Sequence, residues 1–330
     1  MRHSKIPLTL PSGEIVQAQA PVIISASRAT DIPAFYAEWL VKRLEQGYTA
    51  WRNPFNNKVS YVSFAQSRLI VFWTKNPKPL IPLLDRVQEN IPNYYFQFTL
   101  NDYENDALEL NVPPLSERID TFIQLSERIG KEKVIWRFDP LILTDKIGVE
   151  DLLRKVENVG NRIFPYTEKL VFSFADIEIY RKVKSNLQRN QINYREFDET
   201  LMREFAQGMV QLNQKWNLEL STCSEPVSLE SYGISHNSCI DPKLIARLFS
   251  HDRALMDFIG VAPTGNIFQQ LNDFSRLKDK GQRSACGCIL SKDIGAYDTC
   301  PHNCVYCYAN SRFIQKKSNI FGEENYNSNK

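Results

Sequence analysis

Apolar segments that alternate with amphipathic helical patterns are the feature that most constrains the fold of this chain. Six such segments are VIISAS (22–27), RLIVFWTK (68–75), NYYFQFTLN (93–101), KVIWRFD (133–139), KLVFSFAD (169–176) and NLELSTCSEP (217–226), and ACGCILSKDIG (285–295) is a seventh. In the helical pattern after the first segment, Phe35, Trp39 and Leu44 recur on one face. Strands that are apolar on both faces and separated by helices are typical of a parallel sheet. We predict an α/β fold of the TIM-like (β/α) barrel type, incomplete or circularly permuted, with an open doubly wound sheet as the alternative.

Two segments interrupt this alternation and help to define the predicted organisation. KIPLTLPSGEIVQA (5–18) and YTAWRNPFNNKVSYVSFA (48–65) each read as strand, turn and strand. We therefore predict a capping hairpin at residues 1–20, a barrel body at 21–280 that includes the second hairpin, a cysteine-rich segment at 281–313 that completes the barrel, and a polar tail at 314–330.

The composition excludes several classes of protein. No apolar run approaches the roughly 18 residues that a membrane span needs, and the N-terminus lacks the apolar stretch of a secretion signal. We therefore expect a soluble cytoplasmic protein with no membrane partner. The chain has only 13 glycines and no GxGxxG motif after a strand, which argues against a Rossmann dinucleotide site. The net charge of +2 neither indicates nor excludes a nucleic-acid partner.

Polar side chains collect where the predicted strands end. In (β/α) barrels the loops at the carboxyl ends of the strands converge on one mouth, and the chemistry takes place there. Three of these residues, Arg28, Lys75 and Arg137, are cations, and they predict an anionic group in the ligand. The residues that we expect to hold substrate or cosubstrate, or to take part in catalysis, are Arg28, Asp31, Lys75, Arg137, Asp139, Asp176 and Glu225.

The cysteines point to metal chemistry, because thiols stay reduced in the cytoplasm. Within DTCPHNCVYCYAN (298–310), Cys300, Cys304 and Cys307 form C-x3-C-x2-C. Three thiolates at this spacing can bind three irons of a cubane cluster and leave the fourth iron open. A zinc site made by Cys286, Cys288, Cys304 and Cys307 is the alternative.

Four cysteines remain when this loop is assigned to one cluster. Cys223, Cys239, Cys286 and Cys288 would make a full ligand set for an auxiliary iron-sulfur cluster or a zinc ion. The alternative is that Cys223 and Cys239 are ordinary buried cysteines.

The cysteine loop resembles a known signature. C-x3-C-x2-C with an aromatic residue, Tyr306, before the third cysteine is similar to the motif of radical S-adenosylmethionine enzymes, and CPHNCVYCYAN resembles the spore photoproduct lyase-like branch. The resemblance implies that Cys300, Cys304 and Cys307 bind a [4Fe-4S] cluster, that Tyr306 lies against the adenine of S-adenosylmethionine, and that an external electron donor reduces the cluster. It further implies that cleavage of S-adenosylmethionine yields a deoxyadenosyl radical that abstracts hydrogen from the substrate.

The chain departs from this superfamily in the position of the loop, which follows the first barrel strand in most members. A circular permutation accounts for the difference if CGCILSKDIG is the usual first strand and lies against VIISAS. The Gly-Gly-Glu stretch that many members use to hold the methionine amino group is absent from the sequence, whereas Arg28, Lys75 and Arg137 could receive the carboxylate.

A second resemblance covers most of the chain. The segments ISASRATDIPAFY, WRNPFN, FWTKNP, CGC and YCYAN are similar to an uncharacterised prokaryotic domain-of-unknown-function family, which implies no activity.

Two functions follow from these patterns. The first is a radical S-adenosylmethionine enzyme that acts on a nucleic acid, a peptide or a small metabolite. The second is a non-catalytic or hydrolytic barrel that binds structural zinc through its C-terminal cysteines and a phosphorylated ligand at its mouth.

Overall fold

The structure is a computed structural model that describes residues 3–261 and 274–315. The strands are β1 (Ser4–Thr9), β2 (Ile15–Ala20), β3 (Ile23–Ala26), β4 (Tyr48–Arg52), β5 (Val59–Ser63), β6 (Leu69–Thr74), β7 (Asn93–Thr99), β8 (Val134–Leu141), β9 (Leu143–Thr144), β10 (Lys169–Phe174), β11 (Tyr194–Arg195), β12 (Glu219–Cys223), β13 (Ser235–Asn237) and β14 (Lys292–Asp293). The helices are α1 (Ile32–Phe35), α2 (Ala37–Gln46), α3 (Leu84–Asn90), α4 (Leu115–Ile129), α5 (Val149–Ile163), α6 (Arg181–Arg189), α7 (Glu199–Trp216), α8 (Pro242–Leu248) and α9 (Arg253–Ile259).

A parallel sheet of eight strands forms the body of the protein, and the sequence predicted the parallel sheet and seven of its strands but not β13. Its order is β13-β12-β10-β8-β7-β6-β3-β14, and every neighbouring pair is parallel. Side chains alternate between the two faces along each strand, and both faces are covered by buried apolar clusters. In β6, Ile70 and Phe72 belong to one apolar cluster, and Leu69 and Val71 belong to the other.

Helices cover one face of this sheet with their apolar sides. The buried residues of the cluster that contains Ile70 and Phe72 include Leu40 and Val41 of α2 and Phe122 of α4. Gly47 ends α2 in the left-handed conformation, with φ at 83°, and its N–H donates to the carbonyls of Arg43 and Leu44. A glycine takes this conformation without the steric penalty that a Cβ would bring.

The sheet is open, so the structure does not form the closed TIM-like barrel that we considered. β13 and β14 form its two edges, and no strand ladder joins them in the part of the chain that the structure describes. Ile245 of α8 and Met256 of α9 pack instead on the second face of the sheet, against Val71. A hydrogen bond joins the chain just after β13 to the chain just before β14. In it the N–H of Ile289 donates to the carbonyl of Ile240 at 3.2 Å. Helices and a loop therefore cover the second face of the sheet, which in a closed barrel would face the side chains of other strands.

The strand before the cysteine loop lies at one edge of the sheet, next to β3. β14 pairs with β3 in parallel, with Lys292 opposite Ile24 and Asp293 opposite Ser25. The last strand of the chain is therefore the neighbour of the first strand of the large sheet, as expected for CGCILSKDIG and VIISAS.

The two predicted hairpins are present, but they form one sheet. β1 pairs with β2 and β4 pairs with β5, both antiparallel, and β2 meets β5 through Gln19 and Val62. Lys292 of β14 connects this small sheet to the large one, since its Nζ lies 3.1 Å from the centre of the Trp51 ring.

Within residues 3–261 and 274–315, no helix has the length and apolar character needed to cross a bilayer. The predicted tail lies outside the described residues from position 316 onward, as does the part of the predicted barrel body at 262–273.

Candidate functional site

The carboxyl ends of the parallel strands open into a cavity of about 1040 Å³. Parallel strands bring their carboxyl ends to one edge, which is why residues far apart in the sequence meet here. All the residues that the sequence singled out line this cavity, namely Arg28, Asp31, Lys75, Arg137, Asp139, Asp176, Glu225, Tyr306 and the seven cysteines 223, 239, 286, 288, 300, 304 and 307.

The cysteine loop follows β14 and is held from several sides. The N–H of Val305 donates to the carbonyl of Leu108 at 2.9 Å, and the Nδ2 of Asn310 donates to the carbonyl of Cys300 at 2.7 Å. The hydroxyl of Tyr36 donates to the carbonyl of Thr299 at 2.8 Å. Backbone and side-chain contacts thus fix the conformation of the loop on the rest of the protein.

The three thiols of this loop are free and largely shielded from water. Burial raises the pKa of Cys300 to about 12, and the carboxylate of Asp31 and the thiol of Cys307 add to the shift. Burial also raises the pKa of Cys304 and of Cys307. The three thiols are therefore protonated near neutral pH, and a metal ion that bound them would have to displace these protons.

A buried charge network lies beneath the loop. Lys75 Nζ donates to Glu109 Oε1 at 2.7 Å and to the Tyr306 hydroxyl at 2.8 Å. The Tyr306 hydroxyl in turn donates to Glu109, and the Nδ2 of Asn101 lies 3.0 Å from it. Arg118 Nη1 makes an ion pair with Glu109 Oε2 at 3.5 Å. Because the hydroxyl of Tyr306 is occupied in this way, its ring is held in place at the cavity wall.

The two cations of the network change the pKa of Glu109 more than its burial does. Burial alone would raise the pKa of Glu109, but Lys75 and Arg118 lower it below its usual value. Burial would lower the pKa of Lys75, whereas Glu109 raises it. The carboxylate and the ammonium are both charged in the folded protein, so Lys75 is already neutralised by a partner.

Asp31 connects three elements with its two carboxylate oxygens. It accepts from Ala34 N at 3.0 Å at the start of α1, from Thr74 Oγ1 at 2.7 Å and from Lys75 N at 2.7 Å. His302 Nε2 of the cysteine loop lies 3.0 Å from Asp31 Oδ2. Asp31 therefore has a positioning role, in that it holds the cysteine loop against the ends of β3 and β6.

The cations that we expected to share one mouth differ in their partners. Arg137 binds the carboxylate of Asp139 through Nε at 3.0 Å, and its Nη1 donates to Cys239 Sγ at 3.0 Å. Arg28 packs on Trp73, with its guanidinium carbon 4.6 Å from the ring centre. Its Nη2 is buried and has no hydrogen-bond partner among the described residues, as is also true of Thr30 Oγ1. Of the three predicted cations, Arg28 is thus the one with an unused donor at the cavity.

Glu225 and Asp176 lie on the wall formed by the ends of β10 and β12. Glu225 Oε1 accepts from Phe174 N at 2.9 Å, whereas Oε2 is buried without a partner in the described part of the chain. Burial raises the pKa of Glu225 to about 8. Asp176 makes an ion pair with Arg283 at 2.6 Å. Glu225 thus supplies the cavity with a carboxyl group that is protonated near neutral pH.

Cys223, Cys239, Cys286 and Cys288, here called the four-thiol group, lie together in the cavity wall. The sulfurs of Cys223 and Cys239 are 3.5 Å apart. The thiol of Cys288 lies close to those of Cys239 and Cys286, and the N–H of Cys288 donates to Cys286 Sγ at 3.5 Å. Three separate segments of the chain thus bring four thiols into a continuous series of contacts.

No three His, Cys, Asp or Glu side chains are arranged as ligands of a single metal ion in residues 3–261 and 274–315. Thiolates around one zinc lie about 3.8 Å from one another, because the Zn–S distance is about 2.3 Å in a tetrahedral site. In a cubane each thiolate binds a different iron, so its thiolates lie further apart. The 3.5 Å between the sulfurs of Cys223 and Cys239 is therefore too short for two thiolates of one cubane.

Sequence reasoning missed several residues of the site. Glu109 and Arg118 are distant from the cysteines in sequence, and no local motif marks them, whereas Asn101 stands at the end of a predicted strand. Asp293 accepts from Ser25 Oγ at 2.7 Å and from Arg28 N at 2.8 Å, and so fixes β14 to the end of β3. His302 was visible inside the cysteine motif, but its contact with Asp31 depends on tertiary structure.

A family profile described as a domain of unknown function, DUF1848, matches residues 23–309. The match begins at β3 and ends within the cysteine loop, so it includes the whole large sheet and the cavity. A search of curated proteins returned no match.

Proposed function

The chain belongs to the DUF1848 family, and we propose that it is a radical S-adenosylmethionine enzyme. The observation that carries the proposal is that the three cysteines of the C-x3-C-x2-C loop face the same cavity as the strand-end polar residues. A cluster on any other surface of the protein would have no enclosed substrate to act on.

Cys300, Cys304 and Cys307 are the residues that would hold a [4Fe-4S] cluster. When bound, a cluster with three cysteine ligands supplies an open iron that binds S-adenosylmethionine and delivers the electron that cleaves its sulfonium. Three thiols on one loop, with no fourth cysteine in that loop, match this ligand set. The placement of the loop after an edge strand that pairs with β3 supports the proposed circular permutation.

Residues around the loop would bind and orient the cosubstrate. Arg28 Nη2 and Thr30 Oγ1 are unused donors at the cavity, and together they suit a carboxylate. Lys75 and Arg137 are each paired with a carboxylate of the protein, so we assign them to holding Glu109 and Asp139 in place. Tyr306, fixed through its hydroxyl, would present its ring beside the loop.

Residues of the cavity wall would contact the substrate. Trp73, Tyr308 and Phe55 line the cavity as aromatic surfaces, and Glu225 lines it as a carboxyl group that is protonated near neutral pH. A nucleic acid, a peptide or a small metabolite remains the substrate class.

Metal content and cleavage of S-adenosylmethionine test the proposal. Protein purified without oxygen should contain iron and sulfide, and with dithionite and S-adenosylmethionine it should release 5′-deoxyadenosine. Cys304→Ala should abolish this product. Ser311→Ala is the matched control. Ser311 directly follows the cysteine loop, is exposed, and donates its hydroxyl to Asp298 and not to a cysteine.

Two results would overturn the proposal. One is zinc without sulfide in protein purified anaerobically, which would favour a structural zinc site instead. The other is deoxyadenosine release by Cys304→Ala at the rate of the unaltered chain.

A further inference from the structure

The four-thiol group lines the cavity, but the function proposed above does not use it. Cys223 ends β12, Cys239 follows β13, and Cys286 and Cys288 precede β14. Cys239, Cys286 and Cys288 are at most 9% exposed, and Cys223 is half-buried. A free cysteine of a core usually packs as a small apolar side chain. Here three segments of the chain instead bring four thiols together beside a cavity of about 1040 Å³, which has room for a small molecule.

The sulfurs of Cys223 and Cys239 lie close enough to be joined as a disulfide. β12 and β13 pair in parallel with Cys223 opposite Asn237, so Cys239 lies just beyond the end of the neighbouring strand. The two sulfurs are 3.5 Å apart, and a disulfide bond of about 2.05 Å would bring them closer by about 1.5 Å. Arg137 Nη1 and Asn237 Nδ2 donate to Cys239 Sγ at 3.0 and 3.3 Å and hold this sulfur beside Cys223. A separation that is too short for two ligands of one cluster thus suits a bond between the sulfurs themselves.

Cys288 connects this pair to a more reactive thiol, that of Cys286. The thiol of Cys288 lies close to Cys239 and to Cys286. The thiol and the N–H of Cys288 lower the pKa of Cys286 to about 7, although burial opposes the shift. Contacts among the thiols, together with burial, raise the pKa of the other three. The thiolate is the attacking form, and a thiol whose pKa lies near the ambient pH is the best attacker of a disulfide, so we expect Cys286 to react first.

We propose that the four-thiol group is a dithiol–disulfide redox site, which reduces a small disulfide in the cavity and is left with a disulfide between Cys223 and Cys239. The thiolate of Cys286 attacks one sulfur of the small disulfide, which gives a mixed disulfide and releases one product thiolate. Cys288 then attacks the sulfur of Cys286 and releases the second product. Two further exchanges, by Cys239 on Cys288 and by Cys223 on Cys239, move the disulfide along the group.

The reaction balances without a further reactant. One S–S bond of the small disulfide breaks and one S–S bond forms in the protein. Two electrons and the protons of two thiols pass to the two product thiols. A soluble dithiol returns the pair to the reduced state by the same kind of exchange. The site does not rest on the function proposed for the cysteine loop, because none of its four sulfurs belongs to that loop.

Reaction of the reduced, anaerobically purified chain with 2-hydroxyethyl disulfide tests the site. We expect release of about two molecules of 2-mercaptoethanol for each disulfide that forms in the chain. After alkylation of the remaining thiols, endoproteinase Glu-C cuts at Glu225 and Glu230, between Cys223 and Cys239. A disulfide between these two cysteines is then detected by mass spectrometry as a linked pair of peptides. The assay needs no S-adenosylmethionine, so its result is independent of the function proposed for the loop.

Three cysteine variants and a matched control identify the role of each thiol. Cys286→Ser should slow formation of the linked peptides at least about tenfold, because it removes the best attacking thiol. Cys288→Ser should stop the reaction at a mixed disulfide of Cys286 with 2-mercaptoethanol. Cys223→Ser should abolish the linked peptides. Ser284→Ala, exposed on the same segment as Cys286, should leave the rate unchanged.

Three results would overturn this site. The first is that the unaltered chain forms no disulfide between Cys223 and Cys239, or forms one between Cys286 and Cys288 as the final product. The second is that Cys286→Ser forms the linked peptides as fast as the unaltered chain does. The third is iron or zinc that the unaltered chain retains and Cys223→Ser loses. Should Cys223→Ser not fold, as judged by circular dichroism, the mixed disulfide in Cys288→Ser provides the test, and its absence overturns the proposal.

Discussion

Substituting Glu109 by Gln tests whether the buried charge network supports the cysteine loop. Glu109 accepts from Lys75 at 2.7 Å and from Asn101 at 3.2 Å, receives the Tyr306 hydroxyl, and pairs with Arg118 at 3.5 Å. Gln has nearly the same shape and keeps an acceptor oxygen. The change therefore removes the negative charge with little change in packing volume.

The expected cost follows from the exposure of the three charged groups. The side chains of Glu109 and Arg118 are 1% exposed, and that of Lys75 is 14% exposed. Without the carboxylate, two buried cations face each other without a counter-charge. Removing one partner of a buried ion pair costs about 3–5 kcal/mol, and we expect a loss of this size in the free energy of unfolding. Since domains are stable by only about 5–15 kcal/mol, the loss is a large share of the total.

Urea unfolding, followed by tryptophan fluorescence and circular dichroism, measures this loss as a lower midpoint at unchanged slope. Glu199→Gln is the matched control, because Glu199 pairs with Arg203 on the exposed face of α7 and such pairs contribute about 0.3–0.5 kcal/mol. If Glu109→Gln shifts the midpoint no more than Glu199→Gln does, the buried network does not hold its charges as described.

Three further changes have defined outcomes. Gly160→Ala places a Cβ 2.4 Å from the buried ring of Trp216, and thermal unfolding should show a net loss of about 1–3 kcal/mol. Asp198→Ala removes the N-cap of α7, which accepts from Leu201 N at 2.9 Å, and should cost about 1 kcal/mol in urea unfolding. Burial lowers the pKa of Lys292 to about 8, against about 10.4 in an unfolded chain. Between these two pH values the unfolded chain binds more protons than the folded chain. The free energy of unfolding therefore rises with pH in this range. Lys292→Met should therefore be more stable than the unaltered chain at pH 7, and this advantage should shrink by about 3 kcal/mol toward pH 10.5.

Each of these three predictions has a result that would contradict it. Gly148→Ala is the control for the glycine, since its new Cβ comes only within 3.6 Å of Asp151, and equal losses at both glycines would exclude a clash at Trp216. An unchanged midpoint for Asp198→Ala would mean that the cap does not stabilise α7. Lys58→Met, at an exposed lysine, should show no pH-dependent difference, and the same result for Lys292→Met would exclude a lowered pKa.

The sequence by itself determined the type and order of the elements. Runs such as RLIVFWTK are apolar on both faces, and only a parallel sheet covered on both sides buries both faces of a strand. For the same reason the polar residues that follow these strands, such as Arg28 and Asp139, were expected at one edge of the sheet. The C-x3-C-x2-C spacing likewise predicts Cys300, Cys304 and Cys307 as cluster ligands without any tertiary information, and the structure shows that all three line the cavity.

Tertiary structure alone decided whether the sheet closes and which charges remain available. The sequence patterns did not single out α8 and α9, and only the structure shows that Ile245 and Met256 share an apolar cluster with Val71 on the second face of the sheet. A sequence likewise shows three cations near strand ends, but it does not show that Glu109 and Asp139 neutralise Lys75 and Arg137 while Arg28 keeps a free donor. The physical reason is that periodicity and spacing act over a few residues, whereas an ion pair such as that of Arg68 with Asp252 joins residues 184 positions apart.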